Sequence, residues 1–183
     1  MCRSVLTIPA ERPWKSAALG LGGNIGDPVQ AMATALQALD ARDDCEVITV
    51  SRLYRTPPWG KTDQADFFNS CALVRTLLPP QELLTVCLDL ERAMKRVRLE
   101  RWGPRTLDID ILTYEGVQMQ TETLVLPHPR MLERAFVLMP LADIAPDLEI
   151  NGRPVDLWLS ETDQAGILVA DPDGDWWKMA VPG

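Results

Sequence analysis

The hydrophobic positions of this chain change period along its length, and the changes set out most of its elements. Ser16 to Gly22 is a run of small and apolar residues that reads as a buried first strand. Gly23-Asn24-Ile25-Gly26-Asp27 is a turn, and Asp27 followed by Pro28 is a helix start. The carboxylate caps orphan N–H groups there, and proline at the first helical position gives up an N–H that has no partner anyway. Val29, Met32, Ala35, Leu36 and Leu39 then recur at the helical spacing. Glu46 to Arg55 is β-like, and Thr56-Pro57-Pro58-Trp59-Gly60 must leave the strand, because proline cannot donate to a ladder. A polar loop runs to about Phe67, and Asn69 to Arg75 is the next strand. Pro79-Pro80 opens a long helix with Leu83, Cys87, Leu90, Met94 and Val97 on one face. Arg98 to Thr106 is a loop, Leu107 to Tyr114 a strand, and Glu115-Gly116 a hairpin turn into Val117–Met119. Pro127-His128-Pro129 is an extended turn. Met131 to Ala145 is apolar and helical in parts, and Val155 to Thr162 a last short helix.

The order β-α-β-β-α-β predicts an α+β fold of the ferredoxin-like, split βαβ kind, an antiparallel sheet with helices on one face. No internal repeat breaks the chain into units. The expected organisation is a loose extension over 1–15, one domain over 16–170, and a tail over 171–183 that holds Trp176 and Trp177.

Composition narrows the function. The chain has 183 residues, 46% hydrophobic and 24% charged, which is ordinary globular material with enough length for a sizeable core. No apolar run approaches the roughly 18 residues of a membrane span, and no signal-peptide segment opens the chain, so the expected location is the cytoplasm. Cys2, Cys45, Cys71 and Cys87 are scattered in no metal-binding spacing. A net charge of −8 argues against a general nucleic-acid binder. Yet five of the 18 basic residues, Lys95, Arg96, Arg98, Arg101 and Arg105, fall in one short stretch. An acidic protein with one concentrated basic segment suits a small phosphorylated ligand better than a polymer.

The candidate chemistry follows that stretch directly. In a strand alternate side chains share a face, so Asp108 and Asp110 point one way while Leu107, Ile109 and Ile111 point into a core. Alternating acids on their own are usually a solvated strand face. Beside four arginines, Trp102 and a Gly-Pro hinge they read instead as ligands of a hard divalent ion, Mg²⁺ in particular, that shares phosphate oxygens. Arginine offers a planar fork of donors and always carries charge, so Arg96, Arg98, Arg101 and Arg105 form a phosphate cradle. The glycine-rich Gly20 to Gly26 segment misses the dinucleotide fingerprint at Ile25, and no Gly-Lys-Ser/Thr is present, so it reads as a tight turn and close backbone packing. His128, the one histidine, sits stiffly between two prolines, as a structural residue or a nucleotide contact. Trp59, Phe67, Asn69 and Phe136 suggest a flat pocket with amide recognition, although core packing also accounts for the phenylalanines.

These residues resemble the 6-hydroxymethyl-7,8-dihydropterin pyrophosphokinase family. The likeness is carried by Arg101-Trp-Gly-Pro-Arg-Thr-Leu-Asp-Ile-Asp, and by Leu19-Gly-Leu-Gly-Gly-Asn and Ser51-Arg-Leu-Tyr-Arg-Thr-Pro-Pro. Phe67-Phe-Asn, Leu126-Pro-His-Pro-Arg-Met, Arg134-Ala-Phe and Pro140-Leu-Ala-Asp-Ile-Ala-Pro continue it in the family's order, over about Ser16 to Leu148. Phe67, Leu88, Val125 and Pro129 depart from the pattern. The resemblance implies a ferredoxin-like enzyme of the folate pathway that moves pyrophosphate from ATP to the pterin hydroxymethyl group and releases AMP. It implies two Mg²⁺ ions on Asp108 and Asp110, with Arg96 and Arg105 as catalytic-loop arginines. Glu91, Arg98, Arg101, Ile111, His128 and Arg134 become the ATP contacts. Thr56, Pro57, Pro58, Phe67, Asn69, Trp102 and Phe136 become the pterin pocket. The expected partners are the two small substrates, with no nucleic acid and no membrane, and the expected state is a monomer. The proton acceptor, Asp110 or solvent, stays open. The rivals are another phosphotransferase or nucleotidyl hydrolase on the same fold, and a nucleotide- or RNA-binding module.

Overall fold

A computed structural model describes residues 12–58, 62–94 and 106–179. In chain order its elements are β1 (Lys15–Gly23), α1 (Pro28–Asp40), β2 (Cys45–Val50), β3 (Leu53–Thr56), β4 (Phe67–Thr76), α2 (Pro80–Ala93) and β5 (Asp108–Tyr114). There follow β6 (Met119–Gln120), β7 (Val125–Leu126), α3 (Ala135–Ile144), β8 (Glu149–Ile150), β9 (Arg153–Pro154), α4 (Val155–Ser160) and β10 (Leu168–Asp171). The main sheet runs β10-β3-β4-β1-β5, with β2 also on β4, and every pairing in it is antiparallel. This is the α+β arrangement that the element order predicts.

β1 sits between its two long partners, β4 and β5, so both of its backbone edges are paired. Its alternate residues serve two different cores. Ala17, Leu19 and Leu21 join Met32, Leu36 and Leu39 of α1 and Leu83 and Cys87 of α2. Ala18 joins Cys71, Leu112 and, from α3, Leu138 and Leu141. The split βαβ helices therefore share one face, as expected, and α3 and α4, which follow that unit, cover part of the other. The helix-start reading holds: Asp27 Oδ1 accepts from Gln30 N at 3.0 Å, with Pro28 in the first turn.

Two local differences have physical causes. The single β segment expected over Glu46 to Arg55 is two strands, because Ser51 breaks it. The Ser51 hydroxyl accepts from Cys71 N at 2.9 Å while Ser51 N donates to Cys71 O at 2.8 Å, so side chain and backbone together replace a regular ladder rung. Arg52 and Tyr54 then both reach Asp143 of α3, Tyr54 donating its hydroxyl at 2.7 Å. The second difference lies at Glu115-Gly116. The turn forms, with Gly116 at φ 71°, but the chain does not fold back on β5; β6 pairs with β7 instead.

The tail packs into the domain. β10 extends the sheet beyond β3, and a 3₁₀ turn over Trp176–Lys178 lays two indoles against α1 and the β2–β3 break. Trp176 donates from Nε1 to Ser51 O at 3.0 Å, and Gln37 donates to Trp177 O at 2.8 Å. Each indole removes roughly 200 Å² from water, on the order of 5 kcal/mol before the cost of ordering the segment. No helix among the described residues is long and apolar enough to cross a membrane.

Candidate active site

The site begins with what β1 lacks. Gly22 pairs with Asn69 of β4 on one side and Asp108 of β5 on the other. Gly20 pairs in the same way with Cys71 and Asp110. Side chains of paired residues share a face of a sheet. With two glycines in the middle strand, that face has a floor without side chains between two walls. Asn69 and Cys71 form one wall, and Asp108 and Asp110 the other. All six residues line one cavity, which Thr56, Pro57 and Phe67 extend at the β3 end and which Arg134, Phe136 and Val137 close from the start of α3.

Gly22 cannot be replaced without moving the wall beside it. A Cβ there would stand 2.7 Å from Asn69 Oδ1 and 3.3 Å from the Phe68 carbonyl oxygen. At Gly20 the nearest atom would be a Leu112 methyl at 3.4 Å, an ordinary contact.

The Asn69 wall is neutral and fixed from within. Asn69 is 8% exposed, and its Nδ2 donates to Thr56 Oγ1 at 2.7 Å. That bond sets the plane of the amide and its donor and acceptor directions. Cys71 beside it is a neutral thiol, because burial, and Asp143 after it, push its pKa well up.

The carboxylate wall is supported from behind. Leu107, Ile109 and Ile111 are buried in the first core, as the strand alternation requires, while Asp108 and Asp110 are half-buried on the cavity side. Among the described residues β5 is the edge of the sheet, and its outward N–H groups have no strand partner there. Glu91, in the buried stripe of α2, meets that need: its Oε1 accepts from Ile109 N at 2.8 Å. The bond holds the backbone between the two aspartates. Glu91 is 2% exposed and does not line the cavity.

Eight of the residues singled out in the sequence thus meet around one space: Thr56, Pro57, Phe67, Asn69, Asp108, Asp110, Arg134 and Phe136. The Arg134 guanidinium lies 5.7 Å from the centre of the Phe136 ring, which keeps charge and aromatic face together at the mouth. Pro58, Glu91, Ile111 and His128 do not line the cavity. The Ile111 side chain turns into the opposite core, which leaves only its backbone for any contact on this face. His128 is half-buried; its N–H donates to Leu112 O at 2.8 Å, and its Nδ1 accepts from Arg130 N at 3.3 Å. Burial first, then Arg134 and Arg130, lower its pKa against the opposing pull of Asp108, so the ring is neutral near pH 7. Trp59, Arg96, Arg98, Arg101, Trp102 and Arg105 lie outside the described residues.

Gly20, Leu21, Gly22, Ser70, Cys71, Leu112 and Val137 line the cavity without having been read as site residues. The strand alternation that paired the aspartates also places both glycines on one face. The strand expected over Ser16 to Gly22 already held both glycines; what they lie between is set by the pairing with β4 and β5, which the chain alone does not give.

Chemically, the arrangement offers two hard carboxylates across a bare floor from an amide, with an arginine and aromatic rings at the mouth. Among the described residues no group of three His, Cys, Asp or Glu gathers into a metal site. A lone pair of carboxylates fits Mg²⁺, which takes one or two of them and fills its octahedron with water and phosphate oxygens. It does not fit a closed structural zinc site.

A profile of the 7,8-dihydro-6-hydroxymethylpterin-pyrophosphokinase family matches residues 18–146. The chain is 53% identical over 151 residues to the 2-amino-4-hydroxy-6-hydroxymethyldihydropteridine pyrophosphokinase of Methylorubrum extorquens, covering 82% of this chain and 96% of that one. It is 42% identical over 153 residues to the protein of the same name from Bacillus subtilis, covering 84% and 89%. Among solved structures, the wild-type HPPK-DHPS of Plasmodium falciparum with pteroate superposes with a TM-score of 0.67 at 18% identity, a likeness of fold. That match takes in 84% of this chain and 43% of the other.

Proposed function

The chain belongs to the 7,8-dihydro-6-hydroxymethylpterin-pyrophosphokinase family, and from that premise we propose how its residues divide the work. It transfers the pyrophosphate of ATP to the hydroxymethyl group of 6-hydroxymethyl-7,8-dihydropterin, with release of AMP, in folate biosynthesis. The pterin ring lies at the Asn69 end of the trough, where the fixed amide reads its polar edge and Phe67 and Phe136 supply flat apolar faces. Thr56 and Pro57 border the same end; Pro58, outside the cavity lining, and Trp102 are assigned to the pterin by the family likeness alone.

Asp108 and Asp110 are the residues that would hold two Mg²⁺ ions. Bound there, the metal would supply neutralisation of triphosphate charge. Arg96 and Arg105 steady charge on the group in transfer. We assign Glu91, Arg98, Arg101, Ile111, His128 and Arg134 to ATP, Ile111 through its backbone and Glu91 by holding β5. Positioning and charge neutralisation are most of what phosphoryl transfer needs, so the lack of a strong base among these residues is no obstacle. The use of ATP points to the cytoplasm, and the partners are the two small substrates of a monomer.

One observation carries this reading: the bare floor of Gly20 and Gly22 sets a neutral recognition wall and a carboxylate wall on the two sides of one cavity. It is tested by mixing the protein with ATP, Mg²⁺ and the pterin alcohol and identifying the nucleotide product. Pterin-dependent AMP, abolished by a chelator, is the expected result. Pterin-dependent ADP would mean a simple kinase, and turnover without added divalent metal would remove the role given to the aspartates.

A further inference from the structure

The ring of Pro57, a cavity residue on the pterin side, is backed by the part of the chain beyond the family match, which ends at residue 146. β10 pairs with β3 antiparallel, Val169 opposite Tyr54 and Leu168 opposite Arg55. The same register carried two residues further sets Gly166 opposite Pro57. Proline has no N–H for a further rung, so the contact there is one of packing. Gly166 is the third residue of a turn closed by Ile167 N donating to Gln164 O at 3.4 Å, and its φ is 79°. Turns place glycine at that position and sign of φ. A Cβ on Gly166 would stand 3.2 Å from Pro57 Cγ and 3.4 Å from its Cδ. The wall of the cavity and the turn behind it are therefore in contact, with no slack for a methyl group.

The turn is held at both ends. On one side α4 leads into it, and Gln164 donates to Leu159 O at 3.0 Å. On the other side β10 leads to the buried pair Trp176 and Trp177 and the Trp176 bond to Ser51 O. Ser51 lies two residues before β3. One end of β3 is thus fastened by the tail's Trp176 indole, and the other is backed by the turn that precedes β10.

We infer that Gly166 is a positioning residue for the substrate: the turn over Gln164–Ile167 sets how far the Pro57 ring stands into the cavity, and thereby the fit of the pterin. This rests on the reading above that the Pro57 end of the trough receives the pterin. Pro57 and Gly166 are both exposed, so this is a rim wall backed by a turn, and a displacement of a few tenths of an ångström there is felt as lost affinity by a substrate seated against it.

The test compares glycines. Gly152, in the β8–β9 turn, has nearly the same φ, 76°, but nothing within 4 Å of its added Cβ. Gly152→Ala and Gly166→Ala therefore carry the same backbone strain, and only the second presses on Pro57. The dissociation constants of the pterin, with a non-hydrolysable ATP analogue and Mg²⁺ present, and of the analogue alone are measured for both. Gly166→Asn serves as a second variant, since asparagine tolerates positive φ while still bringing a Cβ. Gly166→Ala and Gly166→Asn are expected to weaken pterin binding roughly tenfold while analogue binding matches that of Gly152→Ala, and Gly166→Asn is expected to lose less melting temperature than Gly166→Ala. In a Pro57→Ala background, which removes Cγ and Cδ of the ring, Gly166→Ala is expected to add nothing. Equal pterin affinity in Gly166→Ala and Gly152→Ala overturns the inference, as does an undiminished effect in the Pro57→Ala background. Asn69→Ala separates this from failure of the pocket: if it and Pro57→Ala both leave pterin binding unchanged, the pocket reading falls and the inference with it.

Discussion

The two walls of the trough face each other across the same glycines, yet they are built on opposite principles. On β4 the wall is neutral, and its polar group is oriented by a bond inside the wall, Asn69 to Thr56. On β5 the wall is charged, and its orientation comes from behind the sheet, through Glu91 and the Ile109 N–H. A neutral amide has no like charge beside it to hold off, so one hydroxyl within the wall is enough to orient it. Two neighbouring carboxylates repel each other, so the strand that carries them needs a backbone that cannot yield. The lesson is that recognition and charge handling are separable here, and substitutions should affect one wall without the other.

The largest break in that comparison is Asp108→Ala, which should lower pterin-dependent AMP release roughly a thousandfold or more if the proposed metal role holds, while pterin affinity changes little. A rate within a factor of ten of the parent would assign the metal elsewhere. Next come two substitutions on the other side. Asn69→Ala should weaken pterin binding on the order of tenfold to a hundredfold and spare ATP. Gly22→Ala should mimic it, because its Cβ would displace the Asn69 carbonyl oxygen 2.7 Å away. Calorimetry with each substrate separates the walls, and equal losses for both ligands would show that they are coupled.

Glu91→Ala sharpens the difference in support. It leaves the buried Ile109 N–H without its carboxylate acceptor and should cost about 1–3 kcal/mol of stability in denaturant unfolding, together with some turnover. Glu91→Gln keeps an acceptor and should recover most of both. If the two variants behave alike, the charge of Glu91 matters more than the bond. The smallest effect is expected from Thr56→Val, which removes the acceptor that orients Asn69 and should raise the pterin Kd by roughly a few-fold.

Much of this arrangement can be read from the chain, and what cannot has a common cause. Asp108 and Asp110 facing away from Ile109 and Ile111 follows from a period of two within one strand. The start of α1 follows from Asp27 and Pro28. These are local patterns. The glycine floor is not local, since it has meaning only once Asn69 and Asp108 are known to flank Gly22. Glu91 interrupts an apolar stripe and so reads as a surface residue or a ligand contact, unless the edge of β5 is known to lie beside it. Ser51 splits a β segment through a hydroxyl bonded to Cys71, a residue twenty positions away. Trp176 and Trp177 have no period at all, and their burial is decided by α1. The family likeness brought the cavity residues together by order in the chain, and the register of three strands gives the physical reason they meet.

The floor of the trough also links substrate supply to the endurance of the protein. β1 comes early in the chain, and the partners that turn its glycines into a floor come far later, Asn69 on one side and Asp108 on the other. No fragment containing only one of those pairings has two walls. A ligand seated there binds the completed sheet and nothing less, so at a hundred times its Kd it would add about 2.7 kcal/mol to the native state. The heat resistance of the enzyme then becomes a gauge of how much substrate surrounds it.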